Sequence, residues 1–218
     1  MTTTRRQPPD LRLIVITDRV VAHPRSVIDI VQAALAAGAP AIQLRDKKAT
    51  AREMFEAALA LKELTSAAGA LLFVNDRLDV ALAAGADGAH LGPTDLPIAE
   101  ARAVVPPDFL LGYSTDQPDA ARAAVRAGAD YIGCGAVFGT RNKAEVGDER
   151  IGTGRLAEVV KSVDVPVIGI GGIRADNIAD VAATGAAGAA VIGAVMAAAD
   201  PAAAVARLLE AFRRGSAG

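Results

Sequence analysis

Short apolar runs alternate along this chain with longer stretches whose apolar residues recur every three or four positions. Four of the runs follow a repeated helix end and glycine turn: AAGAPAIQL at 36–44, AAGADGAHL at 83–91, RAGADYIGC at 126–134 and ATGAAGAAV at 183–191. Gly38, Gly85, Gly128 and Gly185 stand where a helix stops in the left-handed conformation, which costs glycine nothing because it has no Cβ. Each copy therefore predicts a helix giving way to a strand. Leu11–Thr17, Leu71–Asn75, Phe109–Gly112 and Val165–Gly169 are further strand candidates, each followed by helix-compatible sequence, so the pattern predicts eight strands.

These runs lack clean two-residue alternation, as expected of strands covered by helices outside and by one another's side chains inside, so the sheet should be parallel. Eight units in 218 residues give about 27 residues each, close to the compact limit of a (β/α)8 TIM barrel. An open doubly wound sheet is the competing fold, but the first turn lacks a dinucleotide fingerprint. The predicted α/β organisation is a flexible polar N-terminus at 1–10, a single catalytic barrel at 11–214 and a flexible C-terminus at 215–218. Val27, Ile28, Val31 and Leu35, and then Met54, Ala58, Leu61 and Leu64, mark helix faces that should cover it. Ser26 is a candidate N-cap, and Pro118 and Pro201 candidate first helical residues.

Composition narrows the function classes. One Cys excludes a disulfide scaffold, and 52% hydrophobic residues can supply a large core. Lys plus Arg is 23 against 25 Asp plus Glu, with no long basic block, which gives nucleic-acid binding little electrostatic support. Arg5 and Arg6 are not followed by an apolar signal core before Asp10, so the cytoplasm is the expected compartment. The uncharged stretch from Val181 to Ala199 is broken by Gly185, Gly188 and Gly193 and reads as buried protein rather than a membrane span.

In a (β/α)8 barrel, chemistry gathers where strands end and the next loops begin. The second strand runs through Gln43 and Leu44 into Arg45-Asp46-Lys47-Lys48, where a guanidinium fork and a mobile ammonium can hold a diphosphate or can simply be solvated. The third ends Asn75-Asp76 and the fourth leads to Asp95. These carboxylates either present hard oxygen ligands to Mg2+ across one opening or cap the helices near Arg77 and Pro97. The fifth exits through Ser114, and the sixth continues into Thr140-Arg141-Asn142-Lys143. The last two strands lead to Gly171-Gly172 and Ile192-Gly193, a phosphate cup of backbone amides or, for the glycine pair, a cramped turn. Cys134 reads as a small core residue, and His90 and His23 as packed or hydrogen-bonded rather than metal-bound.

Taken together, Q43-L44-R45-D46-K47, N75-D76, H90-L91-G92-P93-T94-D95, G112-Y113-S114, F138-G139-T140-R141-N142-K143 and I170-G171-G172-I173 resemble the thiamine phosphate synthase family over nearly the whole chain. The resemblance implies a Mg2+-dependent transferase that joins an aminopyrimidine-methyl diphosphate to a thiazole phosphate, or its carboxylated form, and releases diphosphate. It places Gln43, Arg45, Lys47, Asn75, Ser114 and Lys143 around the pyrimidine diphosphate, with Arg45, Lys47, Ser114 and Lys143 as the catalytic group. Asp76 and Asp95 would hold Mg2+. Thr140, Asn142, Gly172, Ile192 and Gly193 would surround the thiazole phosphate, and Leu44, Asp46, Arg141 and Gly171 are further substrate-binding positions. A homodimer is also implied.

Three positions depart from the family pattern: Asn142 replaces a Thr, Ser114 is followed by Thr115-Asp116 where a His is common, and Gly193 replaces a late Ser. A related thiazole tautomerase, a sugar-phosphate isomerase, epimerase or lyase using Lys143 as a Schiff base, and a non-catalytic phosphate-metabolite sensor remain open on these residues. Arg45, Lys47, Asn75, Asp76, Asp95 and Lys143 favour the synthase reading, because a tautomerase needs no pyrimidine diphosphate site.

Overall fold

The computed structural model describes residues 9–139 and 150–216. Eight strands pair in parallel in sequence order and the last closes on the first: β1 (Leu13–Ile16), β2 (Ala41–Leu44), β3 (Leu71–Asn75), β4 (Gly88–Leu91), β5 (Leu110–Ser114), β6 (Tyr131–Gly135), β7 (Val167–Ile170) and β8 (Gly188–Val191). The closing ladder sets Leu13 against Ala189 and Val15 against Val191. Helices α1 (Arg19–Ala22), α2 (Val27–Ala36), α3 (Ala51–Ala68), α4 (Leu78–Ala83), α5 (Ile98–Val104), α6 (Pro118–Arg126), α7 (Gly152–Ser162), α8 (Ile178–Ala182), α9 (Gly193–Met196) and α10 (Pro201–Ser216) cover the outside.

Alternation reappears once the barrel closes. Ile14, Ile16, Ala41, Phe73, Tyr131, Ile168 and Ala190 pack in the interior, whereas Leu13, Val15, Ile42, Leu44, Leu72, Val74, Leu111, Ile132 and Val191 pack in the layer beneath the helices. Both sets are apolar, which is why no two-residue period shows in the strands. The four repeated glycines do reverse the chain in the positive-φ region, at +88°, +65°, +107° and +85° for Gly38, Gly85, Gly128 and Gly185. In two copies the following Asp has a further use. Asp87 accepts Leu72 N–H on β3 at 2.8 Å and Lys62 Nζ at 2.8 Å, and Asp130 accepts Leu111 N–H on β5 at 2.7 Å and pairs with Arg102. These carboxylates thus satisfy donors at the starts of neighbouring strands.

Some local expectations shift. Strand β7 starts at Val167 because Pro166 has no N–H for the ladder and contributes only its carbonyl, to Ile132 N. Strand β5 runs on through Ser114, beyond the expected Gly112. Ser26 occupies the N-cap position of α2 but makes no side-chain capping bond, while Thr50 and Glu53 form a reciprocal capping box at α3. Pro118 and Pro201 do open α6 and α10, and α10 continues through Ser216, past the boundary expected at 214. The 181–199 stretch comprises the end of α8, then β8 and α9, and no described helix is long and apolar enough to cross a membrane.

Closure leaves no room at the β8–β1 seam, where a Cβ on Gly188 would lie 1.8 Å from the Leu11 carbonyl oxygen. Gly188→Ala should lower stability by about 1–3 kcal/mol. Gly154, helical and exposed in α7 with nothing within 4 Å of an added Cβ, should gain about 0.5–1 kcal/mol as Gly154→Ala. Denaturant unfolding of the two variants checks both signs.

Candidate functional site

The inward set changes chemistry toward the C-terminal ends of the strands. Apolar residues give way to Gln43 on β2, Asn75 on β3, His90 on β4 and Ser114 on β5. The ladder places Gln43 beside Phe73, Asn75 beside His90, and Ser114 beside Gly133. Residues far apart in sequence therefore form one polar ring under the mouth of the barrel.

Thr17, fully buried just beyond β1, ties this ring to the basic loop. Its N–H donates to Gln43 O at 2.9 Å, and its hydroxyl oxygen accepts Arg45 N–H at 3.0 Å. Arg45 Nη1 lies 3.6 Å from Asp18 Oδ2, and Asp18 Oδ1 also accepts the Val20 and Val21 N–H groups at the start of α1. Asp46 is spent on the turn: Oδ1 accepts Lys48 and Ala49 N–H, and Oδ2 lies 3.0 Å from Arg19 Nε. Leu44 packs in the layer beneath the helices, which leaves only its backbone for any ligand. A cavity of about 310 Å³ opens beside this loop, lined by Asp46, Lys47, Ala49, Met54, Asn75, Asp76 and Arg77.

Asp76, on the wall of this cavity, meets Asp95. Burial pushes the Asp76 carboxyl up to about 6, helped by the Asp95 charge and a hydrogen bond between the two side chains, while Lys47 and Arg45 pull it back down. Asp95 Oδ2 also accepts Gly92 N–H at 2.6 Å. The capping alternative is not what the structure contains: the N-caps of α4 and α5 are Arg77 and Pro97, and neither makes a side-chain capping bond. Asp76 adopts φ +63°, alone among the described non-glycine residues in the left-handed region. That backbone costs an L-residue about 1 kcal/mol, so the surrounding contacts hold it in place against a local preference.

The opposite wall is made by the last loops. Gly171 and Gly172 have φ of +98° and +67°, and added Cβ atoms would lie 2.5 Å from Ala136 Cβ and 2.2 Å from the Gly139 carbonyl oxygen. The pair makes a cramped turn, which brings the β7 exit against the segment after β6. Ile192 and Gly193 begin α9 directly after β8. Thr140, Arg141, Asn142 and Lys143, together with 144–149, lie outside the described residues.

His90 is hydrogen-bonded, one of the outcomes expected of it, through Tyr131, which the sequence did not single out. His90 Nε2 lies 2.8 Å from Ser114 Oγ, and His90 Nδ1 lies 3.0 Å from the hydroxyl of fully buried Tyr131. Tyr131 also hydrogen-bonds the Gln43 side chain and meets Phe73 edge-on at 5.4 Å. The missed signal was positional: Tyr131 and His90 both fall on the inward parity of their strands. Cys134, on the outward parity, is a buried free thiol.

Burial, reinforced by the Asp116 charge, pushes the Cys134 thiol up to about 12. On the order of one thiol in ten thousand is then ionised at pH 8, and the thiolate fraction rises only as pH climbs toward 12. Ellman's reagent at pH 8 should leave the native chain unmodified over minutes and titrate one thiol after denaturation. Rapid native labelling would contradict this burial.

Known proteins share both the sequence and this architecture. Residues 13–195 match the family model described as "Thiamine monophosphate synthase". The chain is 49% identical over 184 residues to the thiamine-phosphate synthase of Methanoculleus marisnigri, covering 84% of this chain and 87% of that protein. It is 47% identical over 206 residues to that of Moorella thermoacetica, covering 94% and 98%. The solved thiamine phosphate pyrophosphorylase of Pyrococcus furiosus superimposes with a TM-score of 0.86 at 43% identity, covering 95% of this chain and 98% of that one.

Proposed function

The chain belongs to the thiamine monophosphate synthase family, and we propose that the polar groups at its barrel mouth divide the coupling reaction between gripping a diphosphate and easing its departure. The enzyme is a transferase that joins an aminopyrimidine-methyl diphosphate to a thiazole phosphate to form thiamine phosphate. In this coupling the bond from the methylene carbon to the diphosphate oxygen breaks, and the electron pair leaves with the oxygen. The thiazole nitrogen supplies the pair for the new carbon–nitrogen bond.

The observation that carries the residue assignment is the Asp76–Asp95 pair beside Arg45 and Lys47. Two carboxylates pressed together in a half-buried cavity repel each other unless a proton or a cation lies between them. Their oxygens fit Mg2+, which takes hard ligands. Among the described residues no third Asp, Glu, His or Cys joins them, which suits an ion that completes its shell with water and phosphate oxygens. Bound there, Mg2+ would supply positive charge to the departing diphosphate.

The remaining tasks fall to this chain's side chains. Arg45, oriented by Asp18, offers a planar fork to phosphate oxygens, and Lys47 adds a mobile charge from the same loop. Lys143 would complete the basic group around the leaving anion, and Asn75 and Ser114 would add hydrogen bonds. Gln43 would hold the pyrimidine. Thr140, Arg141 and Asn142, with Gly171, Gly172, Ile192 and Gly193, would seat the thiazole phosphate opposite. Alignment of the two substrates and neutralisation of the leaving group account for the catalysis, and no covalent enzyme intermediate is required.

Purified protein given both phosphorylated substrates and Mg2+ should form thiamine phosphate and diphosphate, and omission of either substrate should abolish both. Asp76→Asn and Asp95→Asn should each lower Mg2+-dependent kcat/KM by about 100-fold or more. Asparagine tolerates the left-handed backbone at the first of these positions, and the unfolding midpoints of both variants should stay close to the parent's. Lys143→Ala should raise KM for the pyrimidine diphosphate about tenfold while leaving KM for the thiazole phosphate nearly unchanged. Activity equal to the parent in all three variants would remove these residues from the site.

A further inference from the structure

Beneath the mouth, hydrogen bonds link four strands in a single line. Gln43 on β2 bonds Tyr131 on β6, Tyr131 bonds His90 on β4, and His90 bonds Ser114 on β5. The line is built into the packing. A Cβ on Gly112 would lie 2.1 Å from Tyr131 Cζ and 2.5 Å from His90 Nδ1, and one on Gly133 would lie 2.9 Å from His90 Cε1. Phe73 meets the Tyr131 ring edge-on at 68°, and the His90 and Tyr131 ring centroids are 5.4 Å apart. Both rings therefore occupy space that a side chain at either glycine would take.

Such a line has two self-consistent directions, because a neutral imidazole carries one N–H and the enclosed phenol has one proton to give. In one direction, Gln43 Nε2–H donates to Tyr131 Oη, Tyr131 O–H donates to His90 Nδ1, and His90 Nε2–H donates to Ser114 Oγ. The Ser114 proton then points to the mouth, and the free face of Gln43 presents its carbonyl oxygen. In the other direction Ser114 spends its proton on His90 and shows lone pairs to an arriving phosphate, while Gln43 presents its NH2.

We propose that Tyr131 and His90 are positioning residues that fix the first direction, making the two ends of the line complementary to a single substrate bearing a ring amino group at one end and an anionic diphosphate at the other. This rests on the functional reading above, in which Gln43 and Ser114 touch that substrate. Gln43 Oε1 accepts from the ring amino group, and Ser114 O–H donates to a phosphate oxygen. The amino group of the pyrimidine is thereby selected over a ring carbonyl, which would meet Gln43 oxygen to oxygen. Tyr131 is the coupling element, since its single proton ties the orientation of the Gln43 amide to the His90 tautomer.

The chain has two histidines, so nitrogen-15 NMR of the imidazoles, assigned with a His23→Gln variant, reads the His90 tautomer directly in the substrate-free protein. The proposal expects the neutral Nε2–H form; an Nδ1–H form or an imidazolium at pH 8 overturns it, whether or not the protein turns over. The second arm compares kcat/KM for the amino substrate and for its analogue carrying a ring oxygen in place of the amino group. In Tyr131→Phe, which keeps the ring and loses the hydroxyl, the amino preference should fall about tenfold or more, with KM for thiazole phosphate unchanged. An unchanged preference overturns the proposal, and failure of Tyr131→Phe to fold leaves the tautomer of the parent protein to decide. No coupling by the parent protein would defeat the functional reading, and the tautomer would still report on the line.

Discussion

Closing eight parallel strands on themselves assigns every strand residue to one of two sides, and the rest of this protein follows from that division. The outward side meets helices and is apolar throughout. The inward side is apolar at the bottom and through the middle, where Ile14, Phe73 and Ile168 fill the interior, and turns polar only at the mouth. Strands of four or five residues suffice because one inward position near the C-terminal end of each is enough to line the mouth. The register then places Gln43, Asn75, His90 and Ser114 around one ring.

At that ring the structure holds groups together that would separate if they were free. Asp76 and Asp95 are forced into contact, with the Asp76 carboxyl pushed up to about 6 and its backbone in the left-handed region. Opposing charges are kept close but not merged with the pair. Asp18 engages Arg45 and Asp46 engages Arg19, which steadies the basic loop while leaving the carboxylate pair beside the cavity. The proposed joint binding of a divalent cation and a polyanion follows from this arrangement, each relieving the repulsion that the other would meet alone.

Glycine has two distinct uses in this arrangement. Gly171 and Gly172 permit loop exits to approach within van der Waals distance at the far wall. Gly112 and Gly133 instead vacate interior space so that an aromatic ring and an imidazole can occupy it. The second use converts part of an apolar barrel interior into a hydrogen-bonded line without an unsatisfied buried side-chain polar atom among the described residues.

The fold was legible in the chain because its signals are local: a glycine that ends a helix, an apolar run that follows, and an interval of about 27 residues between units. The residues of the mouth were legible for the same reason, since strand ends can be read one at a time. What the side chains of Asp76 and Asp95 meet was not local. The fold set the two carboxyls against each other, with Asp76 on the cavity wall, and left the N-cap positions to Arg77 and Pro97. The link between Tyr131 and His90 was likewise hidden, because their strands are far apart in sequence and the two side chains meet only when the barrel closes. Sequence alone determined where strands, turns and charges lie along the chain, and only the tertiary structure decided which of them share an interior, because inward parity becomes a shared environment only when the eighth strand hydrogen-bonds to the first.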